Sequence, residues 1–123
     1  MERIGREHRL RVSRDFTRVK DKGTALRGRH CLVVVCAAPG EPTRVGFVAS
    51  KRGVGNAVQR NRARRRLREI VRRRWERVPH TGYLMMFVAY RSTLTALHQE
   101  LASDVERVLA SAGALAPLAA SAS

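Results

Sequence analysis

The sequence predicts an α+β or mixed α/β domain in which helices pack on one small sheet. Three observations predict it. Two β-branched apolar runs of strand length, residues 30–38 and 44–50, precede a long stretch of helical periodicity. A third apolar run, residues 82–89, is followed by a second amphipathic helical pattern. The length, 123 residues, suits a single domain, and no internal repeat or linker divides it.

The elements follow in chain order. Residues 1–12 are basic and irregular; Ser13 is a plausible N-cap, and Phe16, Val19 and Lys20 share one face of a short helix ended by Gly23. "HCLVVVCAA" (30–38) is a strand, "PGEP" (39–42) a turn and "RVGFVAS" (44–50) a second strand, which suggests an antiparallel pair. Cys31 and Cys36 sit five apart in the first strand, so they face opposite ways and stay as two free thiols. A long helix is expected over 56–78, stopped by Pro79, with Leu67, Ile70, Val71, Trp75 and Val78 in one apolar stripe. Toward its start Arg64 and Arg60 continue that stripe, as though the first turns extend past the core. At 1.5 Å per residue it would be about 34 Å long. "GYLMMFVA" (82–89) gives a third strand; Leu94, Leu97, Leu101, Val105, Val108, Leu109 and Ala112 mark a last helix closed by Gly113. The domain is placed at residues 1–113, with 114–123 an Ala/Ser-rich tail expected to be unstructured.

Charge narrows the function. Lys plus Arg number 25 against 10 Asp plus Glu, a net charge of +15, which points to an extended anionic partner, nucleic acid ahead of membrane. No apolar run is long enough to span a bilayer and no secretory signal is seen at the N-terminus, so the expected location is the cytoplasm, with no membrane partner. The charge clusters in "GNAVQRNRARRRLRE" (55–69). Between residues 60 and 77 there are ten arginines and only Glu69 and Glu76 to pair them, so a helix laced by its own ion pairs fails on arithmetic. Asn61, Arg62, Arg65, Arg66, Arg68, Arg72 and Arg73 spread opposite the apolar stripe, and the helix start at Gly55 and Asn56 adds backbone N–H groups that favour a phosphate. Asn61 supplies a neutral donor and acceptor among guanidinium groups. Helix-turn-helix spacing, heptads and zinc-ligand patterns are missing, and His8, His30, His80 and His98 are scattered, so no protein-built metal site is expected.

These residues resemble the protein subunit of bacterial ribonuclease P. The resemblance rests on "GNAVQRNRARRRLRE" with its Arg60-Asn61-Arg62 run, on "RLRVSRDFTRVKDKG", on "RVGFVASKR" and on "GYLMMFVAYR", and it covers about residues 8–112. It implies an α+β fold with a mixed sheet of three to four strands, like the second domain of ribosomal protein S5, with a left-handed β-α-β crossover contrary to the usual hand. It implies that an RNA subunit catalyses hydrolysis with Mg²⁺, held mainly by RNA and substrate, to remove the 5′ leader of precursor tRNA, and that this chain alone is inactive. The partners implied are the catalytic RNA and precursor tRNA, with no obligate protein partner.

Carried over by position, Arg52, Asn56, Arg60, Asn61, Arg62, Arg65, Arg66 and Arg68 would bind RNA, beside Gly55, Ala57 and Val58 of the same motif. Phe16 would stack on a leader base, with Lys20, Leu32, Val34, Cys36, Gly46, Val48 and Ser50 forming the rest of a leader cleft. Lys20 and Val34 stand where relatives often carry aromatics, and the segment from Lys51 to Asn56 is one residue longer than that pattern. Two rivals remain at this level: a non-catalytic ribosomal or RNA-chaperone protein, and a basic amphipathic segment on anionic membranes.

Overall fold

A computed structural model of the protein describes residues 4–116. Four strands, β1 (Thr24–Arg27), β2 (Cys31–Pro42), β3 (Arg44–Val48) and β4 (Thr81–Ala89), join three helices, α1 (Ser13–Lys22), α2 (Ala57–Arg72) and α3 (His98–Ser111). The strand order is β1-β2-β4-β3, antiparallel except for the parallel pair of β3 and β4. The architecture is thus α+β with one mixed sheet, and β3, α2 and β4 form its β-α-β crossover.

The expected pairing of the strands at 30–38 and 44–50, β2 and β3 of the structure, is corrected. They run in opposite directions, but β4 lies between them. β4 carries the unbroken apolar run Leu84 to Phe87, buried throughout, and such a strand is most stable at a sheet's centre where both faces are covered. "PGEP" consequently closes no hairpin. It continues β2 through a register shift between Ala38 and Pro42, with Gly40 at φ +79°, and Thr43 N–H then donates to His80 O at 2.9 Å as the chain passes β4. β1 gave no apolar pattern because it is a four-residue edge strand, exposed at three positions.

Helix ends also differ. Val12, not Ser13, is the N-cap of α1, and no side chain caps it. α2 stops at Arg72 rather than running to Val78, followed by one 3₁₀ turn, Trp75–Arg77. Pro79 explains this: it disfavours helical backbone at Val78, which is extended at φ −92°, ψ 132°, and it offers no N–H to Trp75 O, which His80 Nε2 contacts instead at 3.0 Å. The stripe Leu67, Ile70, Val71, Trp75 and Val78 is buried as expected, but Ala63 continues it, not Arg60 or Arg64. α3 starts at His98, later than the periodicity suggested; Leu94 lies just after a 3₁₀ turn, Arg91–Thr93, and Leu97 is 69% exposed. Gly113 closes α3 at φ +73°, but the chain beyond does not fall away at once: Ala114 is fully buried, and Ala116 and Arg77 exchange hydrogen bonds of 2.8 Å. Residues 117–123 of the expected tail lie outside the described residues.

The sheet has a core on each face. α2 and α3 cover Cys31, Val33, Val45, Met85 and Phe87 on one side. On the other, α1 and Leu10 cover Val34, Cys36, Leu84 and Met86. The two cysteines therefore lie on opposite faces, both buried and free, as the alternation of a strand requires. Among the described residues no helix is long and apolar enough to cross a membrane.

Candidate nucleic-acid interface

The site begins at the cap of α2. Asn56 Oδ1 accepts from Gln59 N–H and Gln59 Oε1 accepts from Asn56 N–H, both at 2.9 Å, a reciprocal capping box. Gly55 has to be glycine here, since at φ +138° a Cβ would lie 2.0 Å from Gln59 Oε1. The box satisfies two of the four unpaired N–H groups of the first turn and leaves those of Ala57 and Val58 for an anion. Asn56 therefore acts first as a cap. Arg60 turns back to donate to Gly55 O at 2.9 Å and braces the same corner.

Along the helix the arginines divide into two kinds. Asn61, Arg62, Arg65 and Arg68 are exposed; Arg64 donates to Asn61 Oδ1, which leaves the Asn61 amide N–H groups for another acceptor. Arg66 is different. Its guanidinium donates to Thr93 O at 2.6 Å and Ala96 O at 2.8 Å, pinning the turn before α3, and burial followed by repulsion from Arg62 lowers its pKa. It packs protein against protein. Arg68 lies 5.6 Å from the Phe47 ring centroid; burial, then Arg9, Arg64 and Arg65, lower its pKa.

Glu69 bonds Arg72 and Arg73, and these hydrogen bonds pull its pKa down to about 2. Compensation is thus confined to the C-terminal turn of α2. Between Arg60 and Arg68 no carboxylate reaches an α2 arginine among the described residues, so that stretch is a cationic surface awaiting counter-charge. Arg52 stands exposed in the loop before the helix, where Ser50 Oγ accepts from Gly53 N–H at 2.8 Å and Arg91 donates to Val54 O at 3.0 Å.

The second part lies on the α1 face of the sheet. Register places Leu32 beside Val88 and Val88 beside Val48, a transverse row across β2, β4 and β3. All three are only half-buried, whereas Val34 and Met86 in the next row and Cys36 and Leu84 beyond are buried. α1 thus covers most of this face and leaves its last row open. Of the expected cleft, Leu32 and Val48 are in the open row, Val34 and Cys36 lie in the neighbouring buried rows of the same face, and Ser50 is in the loop, not on the floor. Lys20 is exposed on α1. Phe16 is half-buried across Gly46, where an added Cβ would lie 3.0 Å from both Phe16 Cε1 and Leu10 Cβ. The sequence missed Leu84, Met86 and Val88 because β4 was not expected between β2 and β3.

The chain compares closely with known proteins. The family model described as Ribonuclease P matches residues 4–113. A relative from Symbiobacterium thermophilum, "Ribonuclease P protein component", is 40% identical over 109 residues, covering 88% of this chain and 93% of that protein. One of the same name from Kocuria rhizophila is 39% identical over 105 residues, covering 85% and 91%. The fold is similar to that of Staphylococcus aureus RNase P protein, with TM-score 0.76, 25% identity and coverage of 88% of this chain and 97% of that one.

Proposed function

The chain belongs to the ribonuclease P protein family and acts as the protein component of that tRNA-processing ribonucleoprotein; from this premise we propose how its two surfaces divide the work. The exposed face of α2, Asn61, Arg62, Arg65 and Arg68, binds the RNA subunit through its phosphates. The open row Leu32, Val88 and Val48, flanked by Phe16 and Lys20, takes the single-stranded 5′ leader of precursor tRNA. The observation that carries this reading is the uncompensated charge between Arg60 and Arg68, with the row Leu32, Val88 and Val48 left half-buried on the α1 face of the sheet.

Chemistry belongs to the RNA subunit. Mg²⁺, held mainly by RNA and substrate, would supply the charge stabilisation and activated water that phosphodiester hydrolysis needs. This chain's residues do not fit a metal site, for no three His, Cys, Asp or Glu side chains gather into one among the described residues. The protein's own share is to bind and orient. Purified protein incubated with precursor tRNA is expected to cleave only when the RNA subunit is added; cleavage by the protein alone would overturn the reading.

A further inference from the structure

At the outer edge of β3 lies a pocket of about 360 Å³ where the two surfaces just described meet, bordered by Phe16 and Gly46 on the leader side and by Arg68 on the α2 side. The N-terminal segment lends it Leu10, Arg9 and Arg11, β3 lends Val45 and Phe47, and α2 lends Arg68. β3 is an edge strand, and among the described residues its outer side is bridged once, at Val45, whose carbonyl accepts from Leu10 N–H at 2.8 Å. Beyond that bridge the outer backbone groups of β3 have no strand to pair with. No acidic side chain lines the pocket, and no carboxylate pairs with Arg9, Arg11 or Arg68 among the described residues. Arg9 also lies close enough to Arg68 to disfavour its charge.

We propose that this pocket receives one unstacked nucleotide of the RNA bound along α2, its base against Leu10, Val45 and Phe47 and its phosphates against Arg9, Arg11 and Arg68. Three properties of the pocket suit such a ligand. An apolar floor suits the flat face of a base, a strand edge with spare donors and acceptors suits the base's own hydrogen-bonding rim, and clustered guanidinium groups suit phosphate. The volume falls within the range of sites for molecules of this size. The source is the RNA on α2 because Arg64, Arg65 and Arg68 lead along that helix to the pocket. The open row assigned to the leader lies toward the other end of β3, at Val48, about 10 Å from Val45.

The proposal rests on the reading of α2 as the surface for the RNA subunit, and its test separates the two. The double variant Arg9→Gln, Arg11→Gln, with thermal unfolding as a check that it folds, is compared with the unaltered chain for binding ribonuclease P RNA over a range of salt. A loss of about 10-fold or more is expected, with the log–log salt slope reduced by about 0.7 to 0.9 per contact removed. The ratio of holoenzyme affinities for leader-bearing and leaderless precursor tRNA should stay the same. In parallel, methyl-labelled full chain is titrated with adenosine monophosphate and with inorganic phosphate; the nucleotide should move the Leu10 and Val45 methyl resonances, and phosphate should not. Unchanged affinity for the RNA, or methyl resonances that respond no more to nucleotide than to phosphate, overturns the proposal. So does a loss confined to leader-bearing precursor, which would hand the pocket to the leader. If the unaltered chain itself fails to bind the RNA, the reading of α2 falls, and this proposal with it.

Discussion

Individual residues with the same chemistry do different work in this protein. Arg62 and Arg66 lie one turn apart on α2, yet one meets solvent and the other two backbone carbonyls. Arg62→Ala should leave stability within about 0.5 kcal/mol while reducing the salt slope of RNA binding by about 0.7 to 0.9. Arg66→Ala should do the reverse, costing about 1 to 3 kcal/mol in urea unfolding because two carbonyls of the Thr93–Ala96 turn lose their donor. A comparable loss of stability in both variants would refute the distinction. Asp104 is another residue of this kind. Its carboxylate, 3% exposed, accepts from the N–H groups of Arg29 and His30, both at 2.7 Å, and from Arg107. Burial pushes its pKa up, but those hydrogen bonds and the charge of Arg107 outweigh burial and hold it below the ordinary aspartate value. A depressed folded-state pKa gives stability that is present above the unfolded value and lost as pH falls through the folded one. Acid unfolding of the unaltered chain should therefore include a component, starting below about pH 4, that Asp104→Asn lacks. Cys31, pushed up to about 12 by burial and then by Asp104, should resist alkylation at neutral pH until the chain unfolds.

Elements show where the sequence was legible. The stripe on α2 repeats every turn, so its buried face could be named from spacing alone, and period-two alternation put Cys31 and Cys36 on opposite faces. The role of Arg66 could not be read, because its partners Thr93 and Ala96 lie 27 and 30 residues away and only tertiary packing brings them near. The hairpin was misjudged for the same reason: local spacing joins β2 to β3, while the centre of the sheet is decided by β4, far along the chain. The start of α2 is the element most exposed to a single change. Gly55→Ala forces a Cβ onto Gln59 Oε1 and a side chain into positive φ, so it should cost more than Asn56→Ala, itself about 1 kcal/mol. Both variants should weaken RNA binding, and urea unfolding with titration of ribonuclease P RNA checks this; stabilities equal to that of the unaltered chain would show that the capping box is not essential.

Across the whole molecule, function follows from uneven coverage of one sheet. α2 and α3 close one face, while α1 leaves the row Leu32, Val88 and Val48 open on the other. Phe16→Ala should therefore impair holoenzyme affinity for precursor tRNA with a long leader by roughly the 1 to 3 kcal/mol of one stacked base, and leave leaderless tRNA nearly unaffected. Equal losses with both substrates would remove the leader from this face. The arrangement of the sheet also has a consequence for biosynthesis. Its central strand is made last, so a nascent polypeptide that has not yet emerged through Ala89 holds β2 and β3 with nothing between them. Translation delivers the flanks before the keystone, and a stalled or truncated product ending before Thr81 should aggregate where the finished one dissolves.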